Sequence, residues 1–459
     1  MVCAATLLLG GCGAGTPATD ETQGTNPANE TQSVAEATAT PTPVPTQAPL
    51  EIVDYAGTLE LNMSSNSKKM EVTVKTYVDG DTTHFYVPEE FDISGVLKAR
   101  YLGVNTPEST GKIEEYGKTA SNFTKEKLSN AVSIIVESDD ENWNVDSTGD
   151  RHLVWVWYKT AEEESYRNLN IELLQNGLAI ANSSAQNRYG STCMSAIAQA
   201  KAQKLNVYSG QKDPNFYYGD AVELTLKELR LNAEQYNGIK VAFNGVITMN
   251  TGSQGVYVEE YDAETDMYYG MFIYYGHGLS GEGLDILTVG NEARIVGTVQ
   301  FYETGGTYQV AGLTYRMMKP KDPGNIQKLS SGHEPAYVLT TAEDFVYGTV
   351  TVQGTEEKVT RPYAEMAMAT SISMENLKVV DVYTTTNEDS SSYGALTLTC
   401  EDWNGVKVSV RTAVLLDENN NIITEDFYMG KTIDVRGVVD YFDGTYQIKV
   451  FSAKNITVK

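Results

Sequence analysis

The sequence predicts a multidomain protein in which a domain of mixed α and β structure is followed by two mainly β modules. The chain has 459 residues, of which 41% are hydrophobic, and this length favours several hydrophobic cores over one. Helical and strand patterns alternate as far as Pro214, and short strands with glycine-rich turns predominate after it. One motif in the second part of the chain also occurs twice.

The first segment, residues 1–12, is a short apolar run that ends in Leu9-Gly-Gly-Cys12. It is too short to span a bilayer as a helix, and small residues before a cysteine are typical of a bacterial lipoprotein signal. No Lys or Arg precedes Lys68, although signals normally open with a basic residue; the alternative is a buried apolar strand. The pattern favours an extracytoplasmic protein that is secreted or held at the membrane by lipid on Cys12.

Residues 13–50 are rich in Thr, Ala, Pro, Gln and Glu. Such a segment cannot bury enough apolar surface to offset the entropy lost on ordering. We therefore expect a disordered tether, extended where proline is frequent.

Residues 51–212 contain the patterns of the mixed domain. Alternating polar and apolar residues predict a strand over Val72–Val78, and apolar residues at helical spacing predict helices over Glu115–Ala131, Leu169–Ala181 and Met194–Leu205. These patterns alone indicate only a mixture of α and β structure.

Polar side chains that could perform chemistry stand at the ends of the predicted strands. Asp79 and Asp81 flank an Asp-Gly turn, and two carboxylates at a strand end are candidate ligands for a hard cation, which prefers oxygen. Arg100, Asn105 and Glu108 follow around the end of a second strand. Taken singly, such turns and arginines are more often structural than functional.

Six motifs in this order resemble the staphylococcal nuclease family. They are Asp79-Gly-Asp-Thr82, Arg100–Glu108, Glu115–Lys125, Asp150–Val156, Asn176–Ala179 and Ala200–Tyr208. The resemblance extends from about Val72 to Tyr208 and implies that residues 51–212 form an OB-type five-stranded barrel with three helices. It also implies hydrolysis of phosphodiester bonds in DNA, RNA or both, with Ca²⁺ as cofactor and 3′-phosphate products.

The resemblance assigns the metal to Asp81, Asn105 and the backbone carbonyl of Thr106, with Asp79 supporting it through water. The family usually has an aspartate at the position of Asn105. A neutral amide oxygen in place of a carboxylate predicts weaker cation binding, because affinity depends on the charge of the ligands.

The resemblance assigns catalysis to three residues. Arg100 and Arg151 would bind the scissile phosphate, because a guanidinium can bridge two oxygens, and Glu108 would position or deprotonate the attacking water. The alternative is a catalytically silent surface protein of the same fold that binds nucleic acid, glycan or protein. Retention of all three residues favours the enzyme. The sequence shows no sign of an obligate protein partner.

The charge distribution opposes a general affinity for nucleic acid. The net charge of the chain is −27; basic and acidic residues number 0 and 4 in residues 1–50, 16 and 23 in residues 51–212, and 18 and 34 in residues 213–459. Because phosphate contacts drive binding to nucleic acid, the basic side chains of residues 51–212 would have to be concentrated around a cleft.

The repeated motif defines the two β modules. Its copies are Arg294–Tyr302 with Gly306–Val310, and Asp434–Phe442 with Gly444–Ile448. The repeat predicts β modules at 220–318 and 335–459 joined by a linker at 319–334, and both resemble OB-fold modules of large secreted nucleases. Their tyrosines would suit stacking on single-stranded nucleic acid, but also the filling of a pleated surface, so a spacer or docking role is equally open.

Overall fold

The computed structural model describes residues 52–88, 95–182, 184–252, 255–276, 279–303, 305–353, 357–387, 390 and 392–459. The predicted signal at 1–12 and the predicted tether at 13–50 lie outside the described residues. Residues 52–459 form one compact unit. Within the described ranges, no helix combines the length and apolar character needed to cross a membrane.

The first part of this unit is a sheet packed against helices. The sheet has the strand order β1-β6-β7-β4-β3-β2, with β8 paired to β7, and a separate pair is formed by β5 and β9. The strands are β1 Lys69–Glu71, β2 Thr73–Asp79, β3 Thr82–Tyr86, β4 Val96–Tyr101, β5 Val104–Asn105, β6 Ser133–Glu137, β7 His152–Lys159, β8 Arg167–Asn168 and β9 Ile180–Ala181. Seven strands therefore make up this sheet among the described residues, where the resemblance implied five.

The helices of this part are α1 Tyr55–Thr58, α2 Gly117–Ser129, α3 Leu169–Gln175 and α4 Gly190–Gln203, with single 3₁₀ turns at Ser184–Gln186 and Asn206–Tyr208. The three helices predicted from sequence are thus present with different ends. Asn168 is the N-cap of helix α3, and its side chain accepts a hydrogen bond from Ile171 N–H at 3.0 Å. Such a cap satisfies a backbone donor that has no partner inside the helix.

Strand β7 forms the centre of the core. Its run Val154–Tyr158 is buried without interruption, and Trp155 and Trp157 are fully buried. The ring of Tyr189 lies edge-on to both indoles, with centroid distances of 5.0 and 5.6 Å. The indole N–H of Trp157 donates to the buried carboxylate of Glu137 at 2.9 Å, which satisfies a polar group that would be costly to bury alone.

The first β module has the strand order β10-β11-β12-β13-β15-β14-β16, and β14 also pairs with β11. Its strands are β10 Val222–Glu223, β11 Lys240–Asn250, β12 Gly255–Asp262, β13 Met267–Tyr274, β14 Asn291–Tyr302, β15 Thr307–Ala311 and β16 Gln327–Ser331, with helices α5 Leu226–Leu231 and α6 Glu282–Ile286. Because β14 also pairs with β11, the strands β11, β12, β13, β15 and β14 form a closed ring of hydrogen-bonded neighbours.

The second β module repeats this order as β17-β20-β21-β22-β24-β23-β25, with β20 also paired to β23. A separate hairpin of β18 and β19 lies between β17 and β20 in the chain. The elements are β17 Val338–Leu339, β18 Thr349–Gln353, β19 Lys358–Pro362, β20 Ser371–Thr384, β21 Leu396–Glu401, β22 Lys407–Thr412, β23 Thr432–Phe442, β24 Thr445–Val450 and β25 Ile456–Val458, helices α7 Ala342–Tyr347, α8 Tyr363–Met366 and α9 Glu425–Tyr428, and a 3₁₀ turn at Ala453–Asn455.

The glycine of the repeated motif has the same role in both copies. A Cβ atom added at Gly297 would lie 2.6 Å from a Val310 methyl carbon, and one added at Gly437 would lie 2.5 Å from the Lys449 carbonyl oxygen. Both distances are shorter than any real Cβ contact, so the paired strand of each hairpin leaves room only for glycine at this position.

Two features cross the boundaries predicted from sequence. In the predicted linker 319–334, strand β16 pairs with β14 and so belongs to the first β module. Asp213, just beyond residue 212, has a buried carboxylate that accepts from Tyr116 N–H at 2.7 Å and from the Thr119 hydroxyl at 3.0 Å, both at the start of helix α2. Helix α2 of the mixed domain therefore depends on a residue outside the predicted range.

The two β modules contact each other through buried charged groups. The carboxylate of Glu259, on β12, accepts from the backbone N–H groups of Ala336 at 2.8 Å and Ser371 at 2.7 Å, and from the Ser371 hydroxyl. The guanidinium of Arg230, on α5, donates to the backbone carbonyls of Gly270 and Met368.

Candidate active site

The turn between β2 and β3 places two carboxylates next to helix α2. A Cβ atom added at Gly80 would lie 2.8 Å from Thr106 Cγ2 and 2.9 Å from the Ala120 methyl carbon, so the turn has no room for a side chain. The Thr124 hydroxyl donates to the Gly80 carbonyl at 2.6 Å and fixes the turn against the helix. Asp79 and Asp81 are thereby held on either side of a rigid glycine.

Arg100 lies opposite Thr82 in the antiparallel pair of β3 and β4, which brings its side chain to this turn. Its Nη1 atom is 2.5 Å from Asp81 Oδ2, and its Nη2 donates to Asn105 Oδ1 at 2.7 Å. Thr106 N–H also donates to Asp81 Oδ2, at 2.7 Å. The structure thus brings Arg100 together with the three residues predicted as metal ligands.

Asp79 lies behind this cluster and is 8% exposed. Its Oδ1 accepts from Asp81 N–H at 3.1 Å. Burial, together with the negative charges of Asp81 and Glu108, raises the pKa of Asp79 to about 7. The surroundings of Asp79 therefore disfavour its ionised form.

These residues suit the Ca²⁺ that the resemblance implies. Carboxylate and amide oxygens are ligands for a hard cation, and positive charge beside Asp79 and Asp81 would relieve the repulsion that raises the pKa of Asp79. Among the described residues, no group of three or more His, Cys, Asp or Glu side chains is arranged to hold a metal. Asp81 Oδ2 and Asn105 Oδ1 both contact Arg100 in this structure, and Arg100 Nη1 also donates to the Asp81 carbonyl at 3.4 Å.

Arg151 immediately precedes β7. Because β7 runs parallel to β4, with Arg100 paired to Leu153, this arginine belongs to the same edge of the sheet as Arg100. The side chain of Arg151 bonds to Asp146 Oδ2 through Nε at 2.7 Å and Nη2 at 2.6 Å. Asp146 was not predicted as a partner of Arg151. The only feature of the sequence that indicates this pairing is its position five residues before the arginine, at the start of a turn.

Glu108 lies at the start of an irregular segment that leads into α2. Its N–H donates to Glu114 Oε2 at 3.1 Å, and Glu114 N–H donates to the Glu108 carbonyl at 2.9 Å, so the segment closes on itself. Partial loss of hydration and the charges of Asp81 and Glu114 raise the pKa of Glu108, while Arg100 and Arg151 act in the opposite direction. The carboxylate is thus within electrostatic reach of both arginines and of Asp81.

Comparison with known proteins identifies relatives of this part of the chain. The sequence model of the staphylococcal nuclease homologue family matches residues 98–210, a range that includes Arg100, Glu108 and Arg151 but begins after Asp79 and Asp81. A protein described as thermonuclease, from Staphylococcus intermedius, is 32% identical over 139 residues, which cover 29% of this chain and 74% of that protein.

Proposed function

Because the chain belongs to the staphylococcal nuclease family, we propose that residues 51–212 hydrolyse phosphodiester bonds in DNA, RNA or both, with Ca²⁺ and with 3′-phosphate products. The observation that supports this most directly is the cluster in which Arg100 contacts both Asp81 and Asn105, with Glu108 and Arg151 in electrostatic reach. Cations that bind phosphate and a carboxylate that can accept a proton are thereby assembled at one sheet edge.

In this proposal the two arginines bind the scissile phosphate. A guanidinium donates two parallel hydrogen bonds to phosphate oxygens and stays charged at any working pH. Arg151 is held by two bonds to Asp146, which leaves its remaining N–H groups for a ligand. The side chain of Arg151 is 36% exposed and that of Arg100 is 12% exposed, so Arg151 is the more accessible to an incoming substrate.

Glu108 would orient the attacking water and take its proton. A general base is most effective when its pKa approaches the working pH, and the raised pKa of Glu108 is a shift in that direction. The nearby arginines partly oppose this upward shift, because their positive charges favour the ionised form of Glu108.

Asp81, Asn105 and the carbonyl of Thr106 would hold Ca²⁺, with Asp79 supporting them through water. Bound there, the cation would supply positive charge that offsets negative charge building on the phosphoryl oxygens. In this structure the side chains of Asp81 and Asn105 both contact Arg100.

The proposal extends to location. The apolar run ending at Cys12 and the polar tether after it support an extracytoplasmic protein, anchored through lipid on Cys12 or secreted. We expect the protein to partition with membranes when it is expressed in a bacterium, and Cys12→Ala to release it. An unmodified Cys12 in the mature protein would contradict the anchor.

The nuclease proposal is tested by digestion of single-stranded DNA, double-stranded DNA and RNA with Ca²⁺, with Mg²⁺ or with chelator. We expect cleavage that requires Ca²⁺ and leaves 3′-phosphate ends. The matched control carries Glu108→Gln and Arg151→Ala together. Cleavage no faster than this control under every condition would favour the alternative of a silent surface protein that binds nucleic acid, glycan or protein.

A further inference from the structure

The segment that follows Glu108 contacts the first β module. We refer to residues 109–113 as the brace loop; it connects Glu108 to Glu114, and the structure gives it no helix or strand. Its inner side is fixed by the two hydrogen bonds between Glu108 and Glu114. Its outer side faces residues that lie almost two hundred positions further along the chain.

Three contacts join the brace loop to the module. Gln300 Nε2, on β14, donates to the Ser109 carbonyl at 2.8 Å. A Cβ atom added at Gly276 would lie 3.4 Å from Gly111 Cα. One added at Gly312 would lie 2.9 Å from Ile113 Cγ1, so the side chain of Ile113 rests directly on the backbone of the module.

The hydrogen bond from Gln300 is placed where it can affect the position of Glu108. Ser109 is the next residue, and the Ser109 carbonyl is separated from the Glu108 Cα atom by a single planar peptide unit and one Cα atom. Glu108 is exposed, and its backbone is held where it bonds to Glu114 and where its carbonyl closely approaches Gly117. Gln300, by contrast, is half-buried in a long strand that pairs with β11 and β15.

We propose that Gln300 is a positioning residue for Glu108, and that the first β module thereby completes the active site of the preceding domain. This inference rests on the proposed function, because it assigns Glu108 to the chemistry. It gives the module a role that differs from stacking on nucleic acid, from docking and from simple spacing.

The inference predicts a loss of rate and not of substrate binding. The two arginines that would hold the phosphate have no contact with Gln300, so KM should stay within about twofold. A carboxylate displaced from the attacking water should lower kcat, and since small misplacements can cost up to about 100-fold, we expect a decrease of roughly 5- to 20-fold in Gln300→Ala.

The test uses the full chain, with kcat and KM measured on one DNA substrate in Ca²⁺ for wild type, Gln300→Ala and Gln327→Ala. Gln327 is a matched control, because it is a glutamine on β16 of the same module that also donates to a backbone carbonyl, that of Asp322, at 3.4 Å. We expect Gln327→Ala to behave as wild type.

A second comparison separates positioning from general damage. If Gln300 acts through Glu108, Gln300→Ala should slow the Glu108→Gln variant by less than twofold, because the group being positioned is already gone. An equal fold-loss in the two backgrounds would overturn the inference, as would wild-type kcat in Gln300→Ala. A wild-type chain without any cleavage would instead overturn the proposed function, and this inference with it.

Discussion

Arg100 in the candidate site and Arg230 between the β modules are both partly buried, yet their hydrogen-bond partners differ. Arg100 bonds to a carboxylate and a side-chain amide, Asp81 and Asn105. Arg230 bonds only to backbone carbonyls, and its Nε atom is buried without a hydrogen-bond partner. Burial lowers the pKa of Arg230 to about 10.

The difference shows how one residue type serves two purposes. Side-chain partners at an open sheet edge can be exchanged for a phosphate or a cation, so the Arg100 cluster is suited to ligand exchange. Backbone partners from two modules cannot leave, so Arg230 and Glu259 fix the modules against each other. Substitutions in the site should therefore change activity, and substitutions between the modules should change stability.

The largest expected effect is in the site. Glu108→Gln should reduce cleavage by about 10²- to 10⁴-fold, the usual contribution of a general base. The unfolding midpoint should stay unchanged, because Glu108 is exposed. Steady-state kinetics and chemical denaturation of the same preparation measure both quantities.

Glu115→Gln is the matched control for this prediction, since Glu115 is also an exposed glutamate before α2. It should leave both quantities unchanged. A lowered unfolding midpoint in Glu108→Gln would contradict the expectation that substitutions in the site change activity and not stability.

The next effect is between the modules. The Ser371 hydroxyl donates to the buried Glu259 carboxylate and accepts from Tyr337 N–H at 2.9 Å. Ser371→Ala should lower the free energy of unfolding by about 1–3 kcal/mol, because it removes a partner from buried polar groups. Cleavage by the folded protein should stay within twofold of wild type.

Urea denaturation of Ser371→Ala and of Ser409→Ala measures this. Ser409 is half-buried on β22 of the same module and lies outside the contact with Glu259. Equal destabilisation by the two substitutions would show that the contact with Glu259 contributes no more to stability than another serine of the module.

A smaller effect should follow from Asn105→Asp. The added negative charge lies on an oxygen proposed to bind Ca²⁺, so the Ca²⁺ concentration for half-maximal cleavage should fall, by up to about tenfold. Arg100 contacts the same oxygen and limits the gain. Titration of Ca²⁺ against cleavage rate measures the shift, and a curve identical to that of wild type would remove Asn105 from the ligand set.

The smallest effect concerns pH. Burial raises the pKa of Glu259, while hydrogen bonds from Ala336 and Ser371 partly oppose the shift. A raised pKa in the folded state means that the stabilisation is complete below the unfolded pKa and is lost as pH rises through the folded pKa. Glu259→Gln does not titrate and should lack this component.

The quantity to measure is the difference in unfolding free energy between wild type and Glu259→Gln from pH 4 to pH 8. Wild type should lose stability relative to the variant as pH rises through the raised pKa of Glu259. A difference that is constant with pH would show that the pKa of Glu259 is not raised.

Local patterns predicted the helices and the repeated hairpins well. Helical spacing, and a glycine required by the close approach of a paired strand, can both be recognised within a short stretch of sequence. The cluster of Asp81, Arg100 and Asn105 could be anticipated because a motif places all three near adjacent strand ends. Asp213 and Gln300 could not be anticipated. Each acts on a residue about 97 or 191 positions away, and no local pattern encodes a contact at that separation.

The tryptophans have an optical consequence. Trp155 and Trp157 are fully buried in the first core, Trp143 packs against that core, and Trp403 is 90% exposed in the hairpin between β21 and β22. Buried indoles emit at shorter wavelength than hydrated ones, so intrinsic fluorescence is dominated in its blue component by the nuclease-like part. The first β module contains no tryptophan at all. The wavelength of tryptophan emission therefore reports unfolding of the nuclease-like core and distinguishes it from separation of the modules, without any added dye.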